Sequence, residues 1–395
     1  MDFTPLKNCM DKFINEYNVP GVDCIVYKDH KMLFRYFSGM SDIENNKKMS
    51  GDELYLIFSM TKMITCTAAL QLFEKGKFKM DDPLSKYMPE FEKMKLSSAA
   101  LNTENAAKIT TGGSMGESVE INQDGYAKNP ITIKNLFTMA AGLDYALSDN
   151  AMKTALAQGK KSTRDLVGAM SDKTLHFEPG TRFAYSLCHD LLGGLIEIWS
   201  GQKLGEYFSE NIFKPLNMTD TFFGLPKDKE GLAKMAARYT YDKDGKPNRL
   251  PLECSYNITE EYESGGAGLT SCPQDYATFL DALACGGVGK NGQRILSSDT
   301  VKLMSTNHLN EQQLDDFAKL RLGYGYGLGV RTHMDPSISG SLSPTGEFGW
   351  DGAAGAFAMV DTKNKISLTY FQHVHNWKVE IQNEMRNALY SCIKK

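Results

Sequence analysis

The sequence predicts an α+β protein in which strands from both ends of the chain form one antiparallel sheet and a mainly helical region is inserted between them. Two observations lead to this class. Short apolar runs typical of strands occur at residues 22–37 and again at residues 324–371. Residues 132–216, which lie between them, repeat apolar side chains at helical spacing.

The N-terminal segment predicts a helix, a hairpin and a second helix. Residues 1–17 have an amphipathic helical pattern, and two apolar runs at 22–27 and 32–37 flank the turn sequence KDHK. Apolar side chains then share one helix face over residues 59–75, and Gly76 follows as a stop signal.

The remaining chain predicts helices followed by strands. A short helix is expected at residues 84–87, whereas residues 97–130 are polar, Gly-rich and without sustained periodicity, which indicates an exposed excursion. Strands are predicted at residues 324–330, 356–360 and 366–371, and a last helix at residues 378–392.

We therefore expect two domains with a cleft between them, where an active site usually lies. Residues 1–80 and 265–395 are assigned to an α/β domain. Residues 81–264, including the polar excursion, are assigned to a mainly helical domain.

Composition and charge exclude several classes of function. The 395 residues contain 44 Lys and Arg against 48 Asp and Glu, which gives a net charge of −4 and no basic surface for nucleic acid or anionic lipid. No apolar run reaches the roughly 18 residues that cross a membrane. The N-terminus lacks the features of a secretory signal, and the eight cysteines show no metal-type spacing. We expect a cytoplasmic protein with reduced thiols, no nucleic-acid or membrane partner, and an oligomeric state that the sequence leaves open.

The pattern Ser-x-x-Lys occurs three times, beginning at Ser59, Ser200 and Ser391. Chance alone produces such matches, so context has to separate them. Ser200 precedes a glycine helix stop, and Ser391 lies at the chain terminus. Ser59 instead follows the apolar run LYLIF and begins a strong amphipathic helix, so Lys62 lies one turn along the same face. The alternative interpretation is a helix-capping serine beside a solvated lysine.

Three other patterns are set aside. Residues 112–116 (GGSMG) match the G-x-S-x-G elbow of α/β-hydrolases, but their flanks predict neither the strand nor the helix that this elbow joins. Residues 323–329 (GYGYGLG) alternate with period two and precede no helix, which favours a strand over a nucleotide-binding loop. His373 and His375 alternate along one strand without a third ligand nearby, so no metal or cofactor is expected.

A nucleophilic serine needs a base, a proton relay and two donors for the tetrahedral intermediate. A lysine can be that base when desolvation lowers its pKa, and a neighbouring tyrosine can relay the proton. Tyr185 follows the turn sequence EPG and precedes a predicted helix at residues 190–199. Residues 349–356 (GWDGAAGA) lead into a strand, and their small side chains allow a substrate to approach the backbone.

With these pieces in place, the chain resembles the β-lactamase-related serine hydrolases, which include class C β-lactamases, penicillin-binding DD-peptidases and family VIII carboxylesterases. The matching motifs begin at Ser59 (SMTK), Tyr185 (YSL), Ser264 (SGGAGL) and Trp350 (WDG). Their order and separations match over about residues 5–390, which is more specific than any one motif. The resemblance implies a β-lactamase/transpeptidase-like fold.

The resemblance also implies a role for each site residue. Ser59 would attack the acyl carbon, with Lys62 between it and Tyr185. Tyr185 would be the general base for acylation and would protonate the leaving group. The backbone N–H groups of Ser59 and Ala353 would form the oxyanion hole. The residues expected at the substrate are Trp350, Gly352, Leu187 and Tyr145.

Two departures from the family pattern bear on the substrate. Leu187 stands where class C β-lactamases have the Asn of Tyr-x-Asn, and Trp350 stands where they have the Lys of Lys-Thr-Gly. Both losses disfavour anionic β-lactams and indicate a likeness to family VIII carboxylesterases and related acyltransferases. We expect hydrolysis of small-molecule carboxylic esters, or acyl transfer to an alcohol. A β-lactamase, a D-amino-acid peptidase or amidase, and a non-hydrolytic penicillin-binding sensor remain alternatives.

Overall fold

The computed structural model describes residues 1–97, 125–254, 256 and 258–393. Most of the polar excursion predicted at residues 97–130, including its GGSMG sequence, lies outside the described residues. In the described part of the chain, no helix combines the length and the apolar character that crossing a membrane requires. All eight cysteines are described, and none of them forms a disulfide.

An eight-stranded antiparallel sheet forms the centre of the α/β region. Its strands, in chain order, are β1 (Gly21–Lys28), β2 (Lys31–Asp42), β3 (Lys47–Lys48), β4 (Tyr324–Tyr326), β5 (Arg331–His333), β6 (Phe348–Gly349), β7 (Phe357–Asp361) and β8 (Ile366–Phe371). Across the sheet they are ordered β4-β5-β6-β7-β8-β1-β2-β3, so the N-terminal hairpin pairs with the C-terminal strands through β1 and β8. The predicted α+β class, with one antiparallel sheet built from both ends of the chain, is confirmed.

In the part of the chain that the structure describes, five longer helices surround this sheet and the site. They are α1 (Thr4–Tyr17), α2 (Thr61–Glu74), α3 (Cys188–Ser200), α4 (Pro273–Ala284) and α5 (Glu380–Ile393). Helices α1 and α5 cover one face of the sheet and α4 packs on the other. Strand β1 shows why: Val22, Cys24 and Val26 pack in the α1/α5 layer, whereas Ile25 and Tyr27 pack with α4, as the period-two geometry of a strand requires.

Shorter elements complete the chain. Short helices are Ile133–Phe137, Asn150–Ala157, Thr163–Ala169, Leu204–Phe208, Lys214–Leu216, Lys229–Lys234, Ser298–Ser305, Glu311–Ala318 and Pro336–Ser339. Single turns of 3₁₀-helix are Phe58–Met60, Leu84–Lys86, Pro89–Phe91 and Met170–Asp172, with a π-turn at Ser209–Phe213. Three small sheets contain Tyr55–Leu56, Leu269–Ser271 and Phe222–Phe223; Pro247–Leu250, Arg238–Tyr241 and Val374–His375; and Gly125–Tyr126, Lys95–Leu96 and Thr174–Leu175. Helix α2 packs against α3, and the largest apolar cluster includes side chains from both the helical region and the sheet.

The strand predicted at residues 324–330 is wrong in length. Strand β4 ends at Tyr326, and the chain turns back into β5 with the Gly327 N–H donating to the Val330 carbonyl at 2.7 Å. Gly329 makes this turn possible because its φ is +84°, a left-handed conformation that side chains other than glycine rarely adopt. The period-two pattern is therefore a hairpin rather than one strand.

Three buried charged side chains fasten α5 to the sheet. Arg331 on β5 donates from Nη2 to Glu347 Oε1 at 2.9 Å, and Nε of Arg386 on α5 lies 3.4 Å from Glu347 Oε2. All three side chains are almost inaccessible to solvent. Buried charges are tolerated only while they remain paired, because desolvation of an uncompensated charge is costly.

Replacing Glu347 with Ala should therefore lower the free energy of unfolding by about 3–5 kcal/mol, since two buried guanidinium groups lose their counter-charge. Urea unfolding followed by circular dichroism measures the change. The matched control is Glu230→Ala, which removes an exposed carboxylate 3.8 Å from Lys234 and should cost less than about 1 kcal/mol. Equal losses in the two variants would contradict the structural role given to Glu347.

Candidate active site

Ser59 lies at the junction between a buried strand and α2. The strand Tyr55–Leu56 pairs with Leu269–Ser271, and the 3₁₀ turn Phe58–Met60 carries Ser59 directly into α2. Neither the turn nor α2 has a side-chain cap hydrogen bond, so Ser59 does not act as the helix-capping serine of the alternative interpretation.

The residue before the candidate nucleophile has a strained backbone. Phe58 has a φ of +46°, which is rare for a bulky side chain. Its ring packs edge-on against His375 at 5.2 Å and Tyr256 at 6.1 Å between ring centroids. Such a conformation persists only where surrounding packing enforces it, and it is typical of functional sites. No sequence pattern indicated it.

Lys62 is fully buried one turn beyond Ser59. Its Nζ lies 2.7 Å from the Gly266 carbonyl oxygen, 2.8 Å from the Tyr145 hydroxyl and 3.3 Å from Ser59 Oγ. Burial lowers the pKa of Lys62 from 10.5 to about 7, although the nearby Asp190 carboxylate opposes this change. A substantial fraction of Lys62 is therefore uncharged near neutral pH and able to accept a proton.

Tyr185 and Tyr145 enclose the lysine with stacked rings. Their centroids are 5.4 Å apart, and Lys62 Nζ lies 4.7 Å from the Tyr185 centroid and 5.0 Å from the Tyr145 centroid. Burial raises the pKa of each phenol well above its ordinary value, although the nearby Ser59 hydroxyl opposes this change. Trp350 Nε1 donates to the Tyr185 hydroxyl at 3.1 Å. Trp350 therefore positions Tyr185. Tyr145 lines the pocket and also accepts a hydrogen bond from Lys62.

A buried carboxylate holds the loop that binds Lys62. Asp190 on α3 accepts hydrogen bonds at Oδ1 from Ser264 Oγ at 2.6 Å and from the Tyr262 hydroxyl at 2.8 Å. A Cβ on Gly266 would meet Asp190 Oδ2 at 2.4 Å, so only glycine lets this backbone approach the carboxylate while its carbonyl accepts from Lys62. This is the physical reason for the second glycine of the SGGAGL motif.

The two predicted oxyanion donors border the same pocket. Within the described parts of the chain, neither the Ser59 N–H nor the Ala353 N–H donates to a backbone carbonyl. The loop that carries Ala353 is closed by a bond from the Gly352 N–H to the Ala356 carbonyl at 2.7 Å. A Cβ on Gly352 would meet the Ile57 carbonyl at 2.6 Å, so glycine is needed where this loop passes the start of the Ser59 turn.

A pocket of about 300 Å³ opens at Ser59. It is lined mainly by aromatic side chains and by the WDG loop: Ser59, Tyr145, Tyr185, Tyr256, Leu320, Arg321, Trp350, Asp351, Gly352, Ala353 and Trp377. The predicted site residues are brought together here, with the exception of Leu187 and of Lys62, which lies beneath the pocket.

The structure places Leu187, predicted to bind substrate, away from the pocket. Leu187 directly precedes α3, is fully buried, and packs in the apolar core rather than in the pocket wall. Sequence reasoning missed Tyr256, Leu320, Arg321 and Trp377. They come from connecting segments far apart in the sequence, and no motif or period marks them.

Comparisons with known proteins agree with this fold. The profile of the beta-lactamase family matches residues 6–390. The acyltransferase mokF of Monascus pilosus is 30% identical over 306 residues, which cover 74% of this chain and 68% of that protein. Esterase EstB of Burkholderia gladioli is 25% identical over 385 residues, which cover 92% of this chain and 88% of that protein.

Among solved structures, EstCE1, described as a hydrolase with promiscuous acyltransferase activity, has the same fold. It aligns with a TM-score of 0.77 and 21% identity, covering 98% of this chain and 97% of that one. Because the family profile covers nearly the whole chain, the protein belongs to the beta-lactamase family of serine hydrolases.

Proposed function

We propose that this protein is a serine esterase that forms an acyl-enzyme at Ser59 and passes the acyl group to water or to an alcohol. The observation that carries the proposal is the contact between Lys62 Nζ and Ser59 Oγ at 3.3 Å, at a lysine whose pKa is lowered to about 7. The esterase and acyltransferase names of the relatives EstB and mokF support an ester substrate.

Acylation begins with transfer of the Ser59 proton to uncharged Lys62. Oγ then forms a bond to the acyl carbon, and the carbonyl electron pair moves to oxygen. The N–H groups of Ser59 and Ala353 donate to that oxyanion. The charged Lys62 that results is stabilised by the three acceptors around its Nζ, because an ammonium has three protons to donate.

Collapse of the intermediate requires a proton for the departing alcohol. The raised pKa keeps the Tyr185 phenol protonated at neutral pH, so Tyr185 serves as the acid that protonates the leaving oxygen. Tyr185 regains a proton from charged Lys62, which returns to its uncharged form. This assignment makes Lys62 the base of acylation, where the family resemblance alone assigned that role to Tyr185.

Deacylation reverses these steps with a new nucleophile. Water or an alcohol gives its proton to the Lys62–Tyr185 pair, attacks the acyl carbon, and Ser59 leaves with a proton returned to Oγ. The small, largely aromatic pocket favours compact neutral acyl groups, because bringing an unpaired charge into such a wall is unfavourable.

Substitution of Ser59 by Ala should abolish turnover of p-nitrophenyl butyrate, since no other group in the site replaces the nucleophile. The acyl-enzyme is tested by labelling with a fluorophosphonate and measuring intact mass, which should increase by one adduct in wild type only. Ser200→Ala is the matched control, because Ser200 begins another Ser-x-x-Lys sequence and its hydroxyl forms local bonds, donating to the Ile196 carbonyl and accepting from the Gln202 N–H. Retained turnover or labelling in Ser59→Ala would remove the proposal.

The pH dependence of kcat/KM should show one ascending limb centred at about pH 7. Only uncharged Lys62 accepts the Ser59 proton, so activity rises as pH rises through that value and falls by about tenfold per unit below it. An alkyl ester followed in a pH-stat gives the profile without interference from a coloured leaving group. A profile that falls across this range would show that the charged form of Lys62 is the active one.

Substitution of Tyr185 by Phe should slow ethyl butyrate hydrolysis far more than p-nitrophenyl butyrate hydrolysis. An ethoxide needs a proton to depart, whereas p-nitrophenolate is stable without one. Tyr145→Phe, which removes a Lys62 partner without removing that acid, should slow both esters by similar factors. Steady-state kcat/KM for the two esters measures the difference, and equal losses in Tyr185→Phe would assign the acid to another group.

A further inference from the structure

The active-site pocket contains an ion pair that the proposed reaction does not use. Among the described residues that line the pocket, only Arg321 and Asp351 are charged. Arg321 Nη2 donates to Asp351 Oδ2 at 3.0 Å, and the two side chains are only 23% and 14% exposed. They line the same pocket as Ser59, together with the Tyr and Trp side chains of its wall.

Part of this pair lacks a protein partner. Arg321 Nη1 donates to the Leu320 carbonyl at 3.0 Å, which holds the guanidinium beside its own backbone. Asp351 Oδ1 and Arg321 Nε are buried without a hydrogen-bond partner among the described residues. The Asp351 carboxylate therefore neutralises the Arg321 guanidinium through one oxygen, while its other oxygen has no hydrogen bond among the described residues.

The wall around the pair strengthens the effect of each charge. Aromatic side chains exclude water, so charges in this pocket interact more strongly than on the surface. A ligand carboxylate that entered would compete with Asp351 for Arg321 and would face a like charge at short range. An apolar acyl chain meets neither obstacle.

We propose that Asp351, by neutralising Arg321, excludes anionic acyl groups and makes the pair the determinant of specificity for neutral esters. The inference rests on the proposed esterase function and goes beyond it by naming the residues that exclude anionic acyl groups. A guanidinium without its partner is a strong receptor for carboxylates. Removal of the Asp351 charge therefore converts the pocket from one that rejects a carboxylate into one that binds it.

The test compares two esters of 4-nitrophenol that differ in one terminal group. The hexanoate ends in a methyl group, and the adipate monoester ends in a carboxylate at the same chain length. We expect wild type to favour the hexanoate in kcat/KM. Asp351→Asn should raise the ratio of adipate to hexanoate by about tenfold or more, because a charge-assisted hydrogen bond replaces a repulsion. The gain should shrink as sodium chloride is added.

Two further variants show that the gain comes from Arg321. The double variant Arg321→Gln with Asp351→Asn should return the ratio to within about threefold of wild type, since the receptor is then absent. Asp29→Asn is the matched control, because Asp29 forms an ion pair with Lys365 at 2.9 Å on the exposed surface, and its ratio should equal that of wild type. If thermal unfolding shows that Asp351→Asn does not fold, Asp351→Ser provides a second uncharged side chain at this position.

A ratio in the folded Asp351 variant within about twofold of wild type overturns the inference, as does a gain that persists in the double variant. Failure of the proposed function has a different signature. In that case wild type does not hydrolyse the hexanoate, or Ser59→Ala hydrolyses it equally well.

Discussion

The burial of one lysine is the constraint on which the site depends. Lys62 is held on α2 with its Nζ bonded to the Gly266 carbonyl and the Tyr145 hydroxyl, so its position is defined by groups from two distant parts of the chain. A lysine in water would be charged at neutral pH and unable to accept a proton. Desolvation by the α2–α3 packing and the glycine loop changes that balance, at a cost in stability that the surrounding core must offset.

The side chains around Lys62 are each positioned by a different contact. Ser59 lies in a turn whose first residue, Phe58, has a strained backbone and is held by aromatic contacts. The Trp350 indole donates a hydrogen bond to the Tyr185 hydroxyl and holds this phenol in place. Trp350 thereby orients the Tyr185 phenol, whose ring lies beside Lys62 Nζ. The Arg321–Asp351 pair completes a pocket whose cation is already neutralised.

Much of the fold could be predicted from the sequence because many of its helices and strands have a local pattern of apolar residues. The hairpin of β1 and β2, the final strand β8 and the helix that begins beside Ser59 each have the spacing of their element. The length of β4 could not be predicted, because Gly329 reverses the chain through a positive φ within a pattern that alternates like a strand.

The sequence by itself determined the family, the α+β class and the motifs around Ser59, Tyr185 and Trp350, since residue identity and order suffice for these. Only the tertiary structure decided that Lys62 is desolvated and that Leu187 lies in the core. It also decided that Arg321 is neutralised by Asp351, 30 positions away in the sequence. Burial and the pairing of charges depend on which distant segments pack together, and those contacts have no local signature in the chain.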